Sequence, residues 1–186
     1  MNKKWPKRIK DGGARSMDIQ VFANNILLLD GQRIDCALGS GGVRRGKQEG
    51  DKATPAGCFT LRRVLYRADR LAPPATRLPI AALAPDDGWC DAPSDPLYNR
   101  AVTLPYPASH EVLWRDDPVY DLIVIIGHND DPPQPGAGSA IFMHCARENF
   151  APTEGCVALR QSDLHRLLER CGPGDRLCVS SDPAPP

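Results

Sequence analysis

The stretch that decides the fold is M-H-C-A-R-E-N-F-A-P-T-E-G-C-V-A-L-R, residues 143–160, in which two apolar segments flank a polar loop. The first segment, 139–144, alternates with the period of two that is typical of a β-strand, so His144 shares a face with Phe142. The second segment, 157–159, follows a sharp Gly-Cys turn. The loop between them is long enough to bring Cys156 back beside His144. We therefore predict two neighbouring strands that hold Cys156 and His144 together.

A cysteine beside a histidine is typical of nucleophilic acyl transfer. A free thiol has a pKa of about 8.5, so an imidazole that lowers this pKa raises the thiolate fraction at pH 7. His144 then returns the proton to the leaving amine. Gly155 permits a close approach of the backbone, and the N–H groups of Gly155 and Cys156 are candidate donors to an oxyanion. The arrangement predicts acyl transfer through Cys156.

Residue types and spacing alone leave two other interpretations of this pair open. In the first, Cys156 and His144 are buried side chains with a structural role. In the second, His144, Cys145 and Cys156 bind zinc, although the chain lacks the C-x-x-C pair that structural zinc sites often use. Our own prediction contains no metal and no cofactor.

The segments on either side of this stretch are mostly short and extended. Asn24-Asn25 lies between two apolar segments and predicts a hairpin turn, because asparagine tolerates the left-handed conformation. The apolar run at 122–126 predicts a strand buried on both faces. Further strands are predicted at 19–22, 26–29, 33–38, 58–66, 101–104 and 176–180. Residues 71–96 are rich in proline and show no periodicity, which predicts a long ordered loop.

One helix is predicted near the end of the chain. Ser162 is its expected N-cap, and Gly172-Pro173 its expected end. The apolar stripe of this helix consists of Leu164, Leu167, Leu168 and Cys171. The pattern as a whole predicts a mainly β fold with one or two short helices, in a single domain over residues 17–181.

Composition excludes several classes of partner. The chain has 186 residues and 41% hydrophobic content, which suits one domain with a sizeable core. Its formal net charge is zero, so no overall field attracts nucleic acid. No stretch reaches the length of a membrane span. We predict a small or mixed-charge partner, no nucleic acid and no membrane span, and we predict no oligomeric state.

The cysteines and the termini suggest a compartment. The seven cysteines are an odd number without tight spacing, which argues against a disulfide framework and for a reducing environment. Residues 1–16 are basic, lack the apolar run of a secretory signal and are predicted to be a flexible tail, with Met17 a candidate natural start. Residues 182–186 are predicted as a C-terminal tail. We predict a cytoplasmic location, with the cell envelope as the alternative.

Several stretches together resemble the catalytic domain of the L,D-transpeptidase (YkuD-type) family. The segment G-S-A-I-F-M-H, 138–144, followed by T-E-G-C-V-A-L, 153–159, is similar to the catalytic signature of that family. K-Q-E-G-D-K-A-T-P-A-G-C-F, D-G-W-C-D, Y-N-R and G-H-N-D, at 47–59, 87–91, 98–100 and 127–130, resemble a short branch of it. The resemblance implies a single YkuD-like domain with a β-sandwich or barrel-like fold.

The resemblance also implies roles for individual residues. Cys156 matches the nucleophile, His144 the base and Gly155 the turn glycine beside the oxyanion site. The side chains that we expect to contact substrate are Thr153, Glu154, Tyr98, Asn99, Arg100 and His128. For Tyr98, Asn99 and Arg100 the alternative role is to fix loops by hydrogen bonds, and for His128 it is that of a polar residue at a strand end. The family commonly has histidine and arginine where this chain has Glu154 and Ala158, which alters the charge that faces the substrate.

The function implied is cysteine-dependent acyl transfer on peptidoglycan-type peptides that contain D-amino acid centres. Stem peptides or muropeptides are the expected partners, and a Cys156 thioester is the expected intermediate. Two alternatives use the same residues differently. A cysteine peptidase would hydrolyse the acyl-enzyme with water, whereas a binding module would hold cell-wall peptide without reaction.

Overall fold

The computed structural model describes residues 16–185, and nearly all of the predicted N-terminal tail, 1–15, lies outside them. The fold is mainly β, as predicted. The strands are β1 Asp18–Phe22, β2 Ile26–Leu29, β3 Gln32–Ala37, β4 Val43–Arg44, β5 Thr54–Pro55, β6 Gly57–Tyr66, β7 Ile80–Ala82, β8 Asp87–Cys90, β9 Ala101–Thr103, β10 His110–Val112, β11 Leu122–Ile126, β12 Phe142–Cys145, β13 Val157–Leu159 and β14 Arg176–Ser180. The α-helix is α1, Gln161–Leu168, and two 3₁₀ turns lie at Pro118–Tyr120 and Glu148–Phe150.

The main sheet of the described chain closes on itself. Its strand order is β11-β12-β13-β3-β2-β1-β14-β6-β7, and a further pairing of β11 with β6 joins the ends of the first eight strands. The long strand β6 makes this possible, because residues 57–60 pair with β14 while residues 61–66 pair with β11. The result is the barrel-like arrangement expected from the sequence.

Strand β11 lies between two apolar cores. All five of its residues are buried, as the continuous apolar run predicted. Val124 faces the larger core inside the barrel, together with Met143 of β12. Ile123 and Ile125 face a second core that contains Phe142 and Cys156. The alternation predicted for β12 is therefore confirmed, and it places Cys156 on the outer side of the barrel wall.

A small antiparallel sheet covers that outer side. Its strand order is β10-β8-β9, and the ring of Trp89 in β8 packs edge-on against Phe142 at 5.1 Å between centroids. The prediction of one long ordered loop over 71–96 is wrong in part, since the strands β7 and β8 lie within it. Both strands are only three or four residues long, too short to produce a readable period. The sheet β10-β8-β9 matters for function because Trp89 packs against the core cluster that contains Cys156, so this sheet forms a roof over the site.

The α-helix of the described chain begins at Gln161 and not after Ser162. Arg160 has non-helical backbone angles and is the N-cap, and its guanidinium lies over the Phe150 ring at 5.0 Å. Ser162 is therefore inside the first turn, which corrects the predicted cap. Leu164, Leu167 and Leu168 are buried as predicted. Cys171 is also buried, but it lies beyond the end of the helix.

The cysteines are not all unpaired. A disulfide joins Cys58 of β6 to Cys178 of β14, which lie opposite each other in the antiparallel register. The sequence argument against disulfides is wrong for this pair, because a separation of 120 residues in sequence conceals a contact that only the sheet creates. Five cysteines are free and buried.

The ends of the described chain pack on the domain. The Met17 N–H donates to Asp175 Oδ1 at 2.7 Å. At the other end, the Asp182 carbonyl accepts from the Ala23 N–H, the Ala184 N–H donates to Asn24 Oδ1, and the Pro185 carbonyl accepts from the Arg33 guanidinium. Between residues 16 and 185, no helix has both the length and the apolar character that crossing a bilayer requires.

Candidate active site

The parallel pairing of β12 with β13 brings Cys156 and His144 onto the same face. Met143 lies opposite Val157 and His144 opposite Ala158, so Cys156 falls beside Phe142. The Phe142 N–H confirms this by donating to Cys156 Sγ at 3.3 Å. Since successive side chains of a strand alternate, His144 is the next residue after Phe142 on the face that Cys156 occupies. Both side chains line one cavity.

The surroundings of Cys156 favour the neutral thiol over the thiolate. Its Sγ donates to the Ala140 carbonyl at 3.3 Å, and only 7% of the residue is exposed. Burial raises the pKa of the thiol to about 12, and the hydrogen bond from Phe142, which lowers the pKa, offsets only part of that effect. The prediction that an imidazole lowers the pKa of Cys156 is therefore wrong for the resting site.

His144 is neutral for the same physical reason. Its Nδ1 lies 2.9 Å from the Cys145 carbonyl, which can only accept, so Nδ1 carries the proton and Nε2 is left as the base. Burial lowers the pKa of His144 to about 4. Within the described chain, no hydrogen bond joins either ring nitrogen to Cys156 Sγ. The resting site is a neutral thiol and a neutral imidazole rather than the expected ion pair.

The buried neutral imidazole predicts a pH dependence of stability. In the unfolded chain His144 has an ordinary pKa near 6.5, so between pH 6.5 and about pH 4 the unfolded state binds the proton and the folded state does not. The contribution of His144 to the free energy of unfolding is therefore complete above pH 6.5. It is lost as the pH falls toward 4, which lowers the free energy of unfolding by roughly 2–4 kcal/mol. Urea unfolding of wild type and His144→Gln across this range measures it. A difference between the two proteins that does not change with pH would contradict the assignment.

The turn before β13 is held by Thr153. Its hydroxyl donates to the Cys156 carbonyl at 2.7 Å and accepts from the Gly155 N–H at 3.1 Å. Thr153 also forms an isolated parallel β-bridge with Gly39, and its N–H donates to the Leu38 carbonyl. The Gly155 N–H is therefore engaged inside the turn, which removes it from the predicted pair of oxyanion donors. The side chain of Thr153 fixes the backbone that carries Cys156.

Gly155 occupies a conformation and a space that only glycine fits. Its φ is +132°, and a Cβ there would lie 2.8 Å from the Ala53 carbonyl oxygen and 2.9 Å from Ile141 Cδ1. We predict that Gly155→Ala destabilises the protein by roughly 1–3 kcal/mol and slows acylation of Cys156, because the turn must shift. Thermal unfolding and labelling measure the two effects. Gly46→Ala is the control, since nothing lies within 4 Å of that Cβ. Equal stability of the two variants would show that the turn tolerates a side chain.

The cavity that contains Cys156 and His144 has a volume of about 450 Å³. Polar and charged side chains dominate its wall. Thr153 and Glu154 line it, as expected from the sequence. It is also lined by Lys47, Glu49, Lys52, Asp91, Glu111, Arg115, Tyr120, Ser139 and Arg147, none of which the sequence identified as site residues. Five of them lie within the stretches 47–59, 87–91 and 138–144, whose resemblance to the family was the available signal: Lys47, Glu49, Lys52, Asp91 and Ser139. The other four lie outside those stretches.

Tyr120 and Glu111 form the wall next to His144. The Tyr120 ring stands edge-on to the imidazole at 5.3 Å between centroids, and its hydroxyl donates to Glu111 Oε1 at 3.1 Å. Burial raises the pKa of Glu111, while Tyr120 and Arg115 act in the opposite direction. Arg115 is itself paired with Asp117 at 2.7 Å. This wall fixes the plane of the His144 ring.

Tyr98 and Asn99 hold the loops around the cavity together. Tyr98 is buried, and its hydroxyl donates to Glu49 Oε2. Asn99 is also buried; its amide donates to the carbonyls of His128 and Asn129, and its Oδ1 accepts from Trp89 Nε1 and the Ala140 N–H. Asn99 therefore joins the roof to the segment that contacts Cys156. Direct contact of either residue with substrate stays a prediction.

Arg100 and His128 lie at a different cavity. They line a space of about 230 Å³ together with Trp89, Asn99 and Phe142. His128 Nε2 lies 3.1 Å from the Ala137 carbonyl, and its ring packs edge-on against Phe59 at 5.3 Å. The structure does not bring these two side chains into the cavity of Cys156 and His144. Their predicted role in binding substrate stays a prediction.

Glu154, which stands where the family commonly has histidine, is at the mouth of the main cavity. Its side chain is 82% exposed and pairs with Lys52 at 3.2 Å. Screening by solvent makes such a pair weak.

In the part of the chain that the structure describes, no group of three or more histidine, cysteine or acidic side chains is placed to hold a metal ion.

Comparison with protein families gives a match over nearly all of the described chain. The sequence profile of the YkuD family, the L,D-transpeptidase catalytic domain, matches residues 17–179. A search of curated proteins finds no match.

Two solved structures resemble the fold. Both are of the helical cell shape determining protein Pgp2 from Campylobacter jejuni, one of them a point mutant. The mutant structure shares 12% identity, with a TM-score of 0.43, 91% of this chain covered and 48% of that chain. The other shares 14% identity, with a TM-score of 0.39 and coverages of 90% and 48%. This chain thus spans about half the length of those structures.

Proposed function

Because the chain belongs to the YkuD family of L,D-transpeptidase catalytic domains, we propose that it catalyses acyl transfer on peptides with D-amino acid centres through a thioester on Cys156. The observation that carries the proposal is the shared cavity of Cys156 and His144, in which His144 Nδ1 is fixed on the Cys145 carbonyl and Nε2 is left as a base. Peptidoglycan stem peptides or muropeptides are the proposed substrates.

The first half-reaction forms the thioester. Cys156 Sγ attacks the carbonyl carbon of the donor peptide while its proton passes to His144 Nε2. The bond from that carbon to the nitrogen of the following D-residue then breaks, and Nε2 gives the proton to the departing amine. The Cys156 N–H is the donor that remains for the oxyanion once the Gly155 N–H is engaged by Thr153.

Because the Cys156 thiol and the His144 imidazole are both neutral before substrate binds, proton transfer between them waits for the substrate. The Cys156 proton is directed to the Ala140 carbonyl, so the thiol must rotate toward Nε2 when substrate enters. A thiol with a raised pKa and a base with a lowered pKa do not exchange a proton in the empty site. Proton transfer is therefore coupled to attack on the carbonyl, which limits reaction of the thiol with other electrophiles.

The second half-reaction decides between transfer and hydrolysis. An acceptor amine attacks the thioester carbonyl, gives its proton to Nε2, and the Cys156 thiol is restored with that proton. Water on the same path gives the peptidase reaction. Incubation of the protein with a donor tetrapeptide and a D-amino acid tests the proposal. Exchange of the terminal D-residue supports transfer, release of tripeptide alone supports hydrolysis, and no Cys156-dependent product contradicts both.

The compartment in which the chain acts stays a prediction. Five buried free thiols accord with the reducing cytoplasm, whereas the Cys58–Cys178 disulfide accords with an oxidising envelope. Fractionation of cells that express the full chain, with thiols blocked before lysis, locates the protein and shows whether the disulfide forms there.

A further inference from the structure

The Cys58–Cys178 disulfide lies on the outer face of the barrel. Leu177 and Val179 of β14 are buried in the barrel core, so Cys178 between them points outward. Cys58 is exposed and Cys178 is half-buried. The five free cysteines, by contrast, are buried. A thiol reagent in solution therefore reaches this disulfide more readily than it reaches the free thiols.

A cavity of about 420 Å³ lies beside the disulfide, and both Cys58 and Cys178 line it. Arg45 is exposed, and it is the one charged side chain among the described residues that line this cavity. The thiolate that attacks a disulfide and the sulfur that leaves both carry negative charge, which a nearby guanidinium stabilises. The surroundings of the disulfide therefore give an attacking thiolate access and a favourable charge.

The sheet keeps the two cysteines together after the bond opens. Cys178 lies directly opposite Cys58 in the antiparallel pairing of β14 with β6, and their Cα atoms are 4.0 Å apart. Residue pairs on both sides of them continue the same register. Because this backbone pairing does not require the sulfur bond, the reduced thiols stay face to face. The bond can therefore re-form within the folded protein.

The segment before the disulfide supports the turn that carries Cys156. The carbonyl oxygen of Ala53 lies 2.8 Å from the position that a Cβ on Gly155 would occupy. Thr54 Oγ1 accepts from the N–H of Gly39 at 2.8 Å, and Gly39 forms the β-bridge to the same turn. Three residues separate Thr54 from the disulfide. The disulfide therefore anchors the segment on which the turn rests.

Reduction weakens that anchor. Gly57 and Cys58 are the first residues of β6, and the ends of an element open more readily than its centre. With the disulfide closed, this end of β6 is joined covalently to β14. With the disulfide open, backbone hydrogen bonds hold it, so residues 53–57 separate from Gly155 more often. The redox state of the disulfide thus changes how firmly the turn of Cys156 is held.

We propose that Cys58–Cys178 is a reversible thiol–disulfide exchange site for a protein dithiol, and that opening the bond loosens the segment that supports the Gly155 turn. The oxidised protein is the form with the firmer turn. The inference goes beyond the reaction proposed for Cys156 and does not depend on it.

The exchange proceeds in two steps. A thiolate of the partner attacks Cys58 Sγ, the sulfur of the more exposed cysteine, the bond to Cys178 breaks, and the Cys178 thiolate takes a proton from water. The partner's second thiolate then attacks its own sulfur in the mixed disulfide and releases Cys58, which takes a second proton. The two cysteines gain two electrons and two protons, and the dithiol is oxidised to a disulfide.

Reduction of the folded full chain tests the exchange site. The probes are dithiothreitol and a thioredoxin variant that lacks its second active-site cysteine, both used without denaturant. Acid quenching, alkylation and peptide mapping should find Cys58 and Cys178 as thiols after dithiothreitol, and as a disulfide again once oxidised glutathione is added. The thioredoxin variant should be trapped as a mixed disulfide on Cys58.

Hydrogen exchange tests the link to the turn. Amides of residues 53–58 and 153–157 should exchange roughly 2- to 30-fold faster in the reduced protein, the range by which linked residues alter a distant site, and α1 should change less. The unfolding temperature should fall by roughly 4–16 °C.

Two variants show whether these changes come from this bond. The double variant Cys58→Ser with Cys178→Ser should behave as the reduced protein does, and dithiothreitol should leave it unchanged. The matched control is Cys171→Ala, which removes a buried free thiol, keeps the disulfide and should respond to dithiothreitol as wild type does.

Two outcomes overturn the inference. One is a disulfide that opens only in urea and traps no thioredoxin, which would make it a purely structural bond. The other is hydrogen exchange at 153–157 that is equal in the two redox states. Turnover reports separately on the proposed function. A redox difference in hydrogen exchange without any Cys156-dependent product would remove acyl transfer and leave the exchange site, whereas product formed at equal kcat/KM with equal hydrogen exchange would do the reverse.

Discussion

Replacing Cys156 with alanine should lower kcat/KM for exchange of the terminal D-residue by at least about 10³-fold, because the thioester cannot form without the sulfur. The residual rate should equal that of the uncatalysed reaction. Binding of the donor peptide should persist, since the charged wall of the cavity is unchanged. Chromatographic assay of product, with calorimetry for binding, measures both quantities.

Cys171→Ala is the matched control for this variant. It removes the same atoms from another buried free cysteine, which lies in the barrel core and does not line the cavity. Its activity should stay near that of wild type once the unfolding temperatures are compared. If the two variants lost activity to the same extent, the loss would reflect stability and not chemistry.

Replacing His144 with glutamine should lower kcat by about 10²- to 10⁴-fold, the usual contribution of a positioned general base. KM should change much less, because the imidazole acts on the proton and not on the bound peptide. Thermal unfolding at pH 7.5 should show that the variant folds. A large rise in KM with kcat unchanged would instead make His144 a binding residue.

The pH profile of the wild-type protein tests the state of His144. With its pKa lowered to about 4, the imidazole is a free base above that pH and becomes protonated below it. We therefore expect kcat/KM to be level from about pH 5 to 8 and to fall about tenfold per pH unit below 4. An inflection near 6.5, the ordinary histidine value, would contradict the neutral buried pair and favour a solvated imidazole.

The sequence predicted those features that local patterns determine. The apolar run of β11 and the alternation of β12 each specify which side chains are buried, and burial then places Phe142 and His144 on one face. The turn at Gly155 can be predicted from the sequence because glycine is the residue that a φ of +132° permits. The hairpin at Asn24-Asn25 can be predicted for a related reason, since Asn25 has a φ of 61°, which asparagine tolerates.

Contacts between distant segments could not be read from the sequence. Glu49, Asp91 and Tyr120 reach one cavity from three distant segments of the chain, and no spacing relates them. The ionisation of Cys156 and His144 depends on how completely the roof of β8 to β10 covers them. The same roof consists of strands too short to show a period. The disulfide of Cys58 likewise depends on the register between β6 and β14.

The Cys156 acyl-enzyme is the intermediate on which the whole account depends. Rapid acid quenching of the full chain with a donor tetrapeptide, followed by tryptic digestion and mass spectrometry, detects it directly. The peptide 148–160 contains Cys156 as its single cysteine, so an adduct there is unambiguous. We predict that this peptide gains the mass of the donor acyl group, that hydroxylamine removes it, and that the other free cysteines stay unmodified. Turnover without an adduct on residues 148–160, or an adduct on another cysteine, would contradict the central claim.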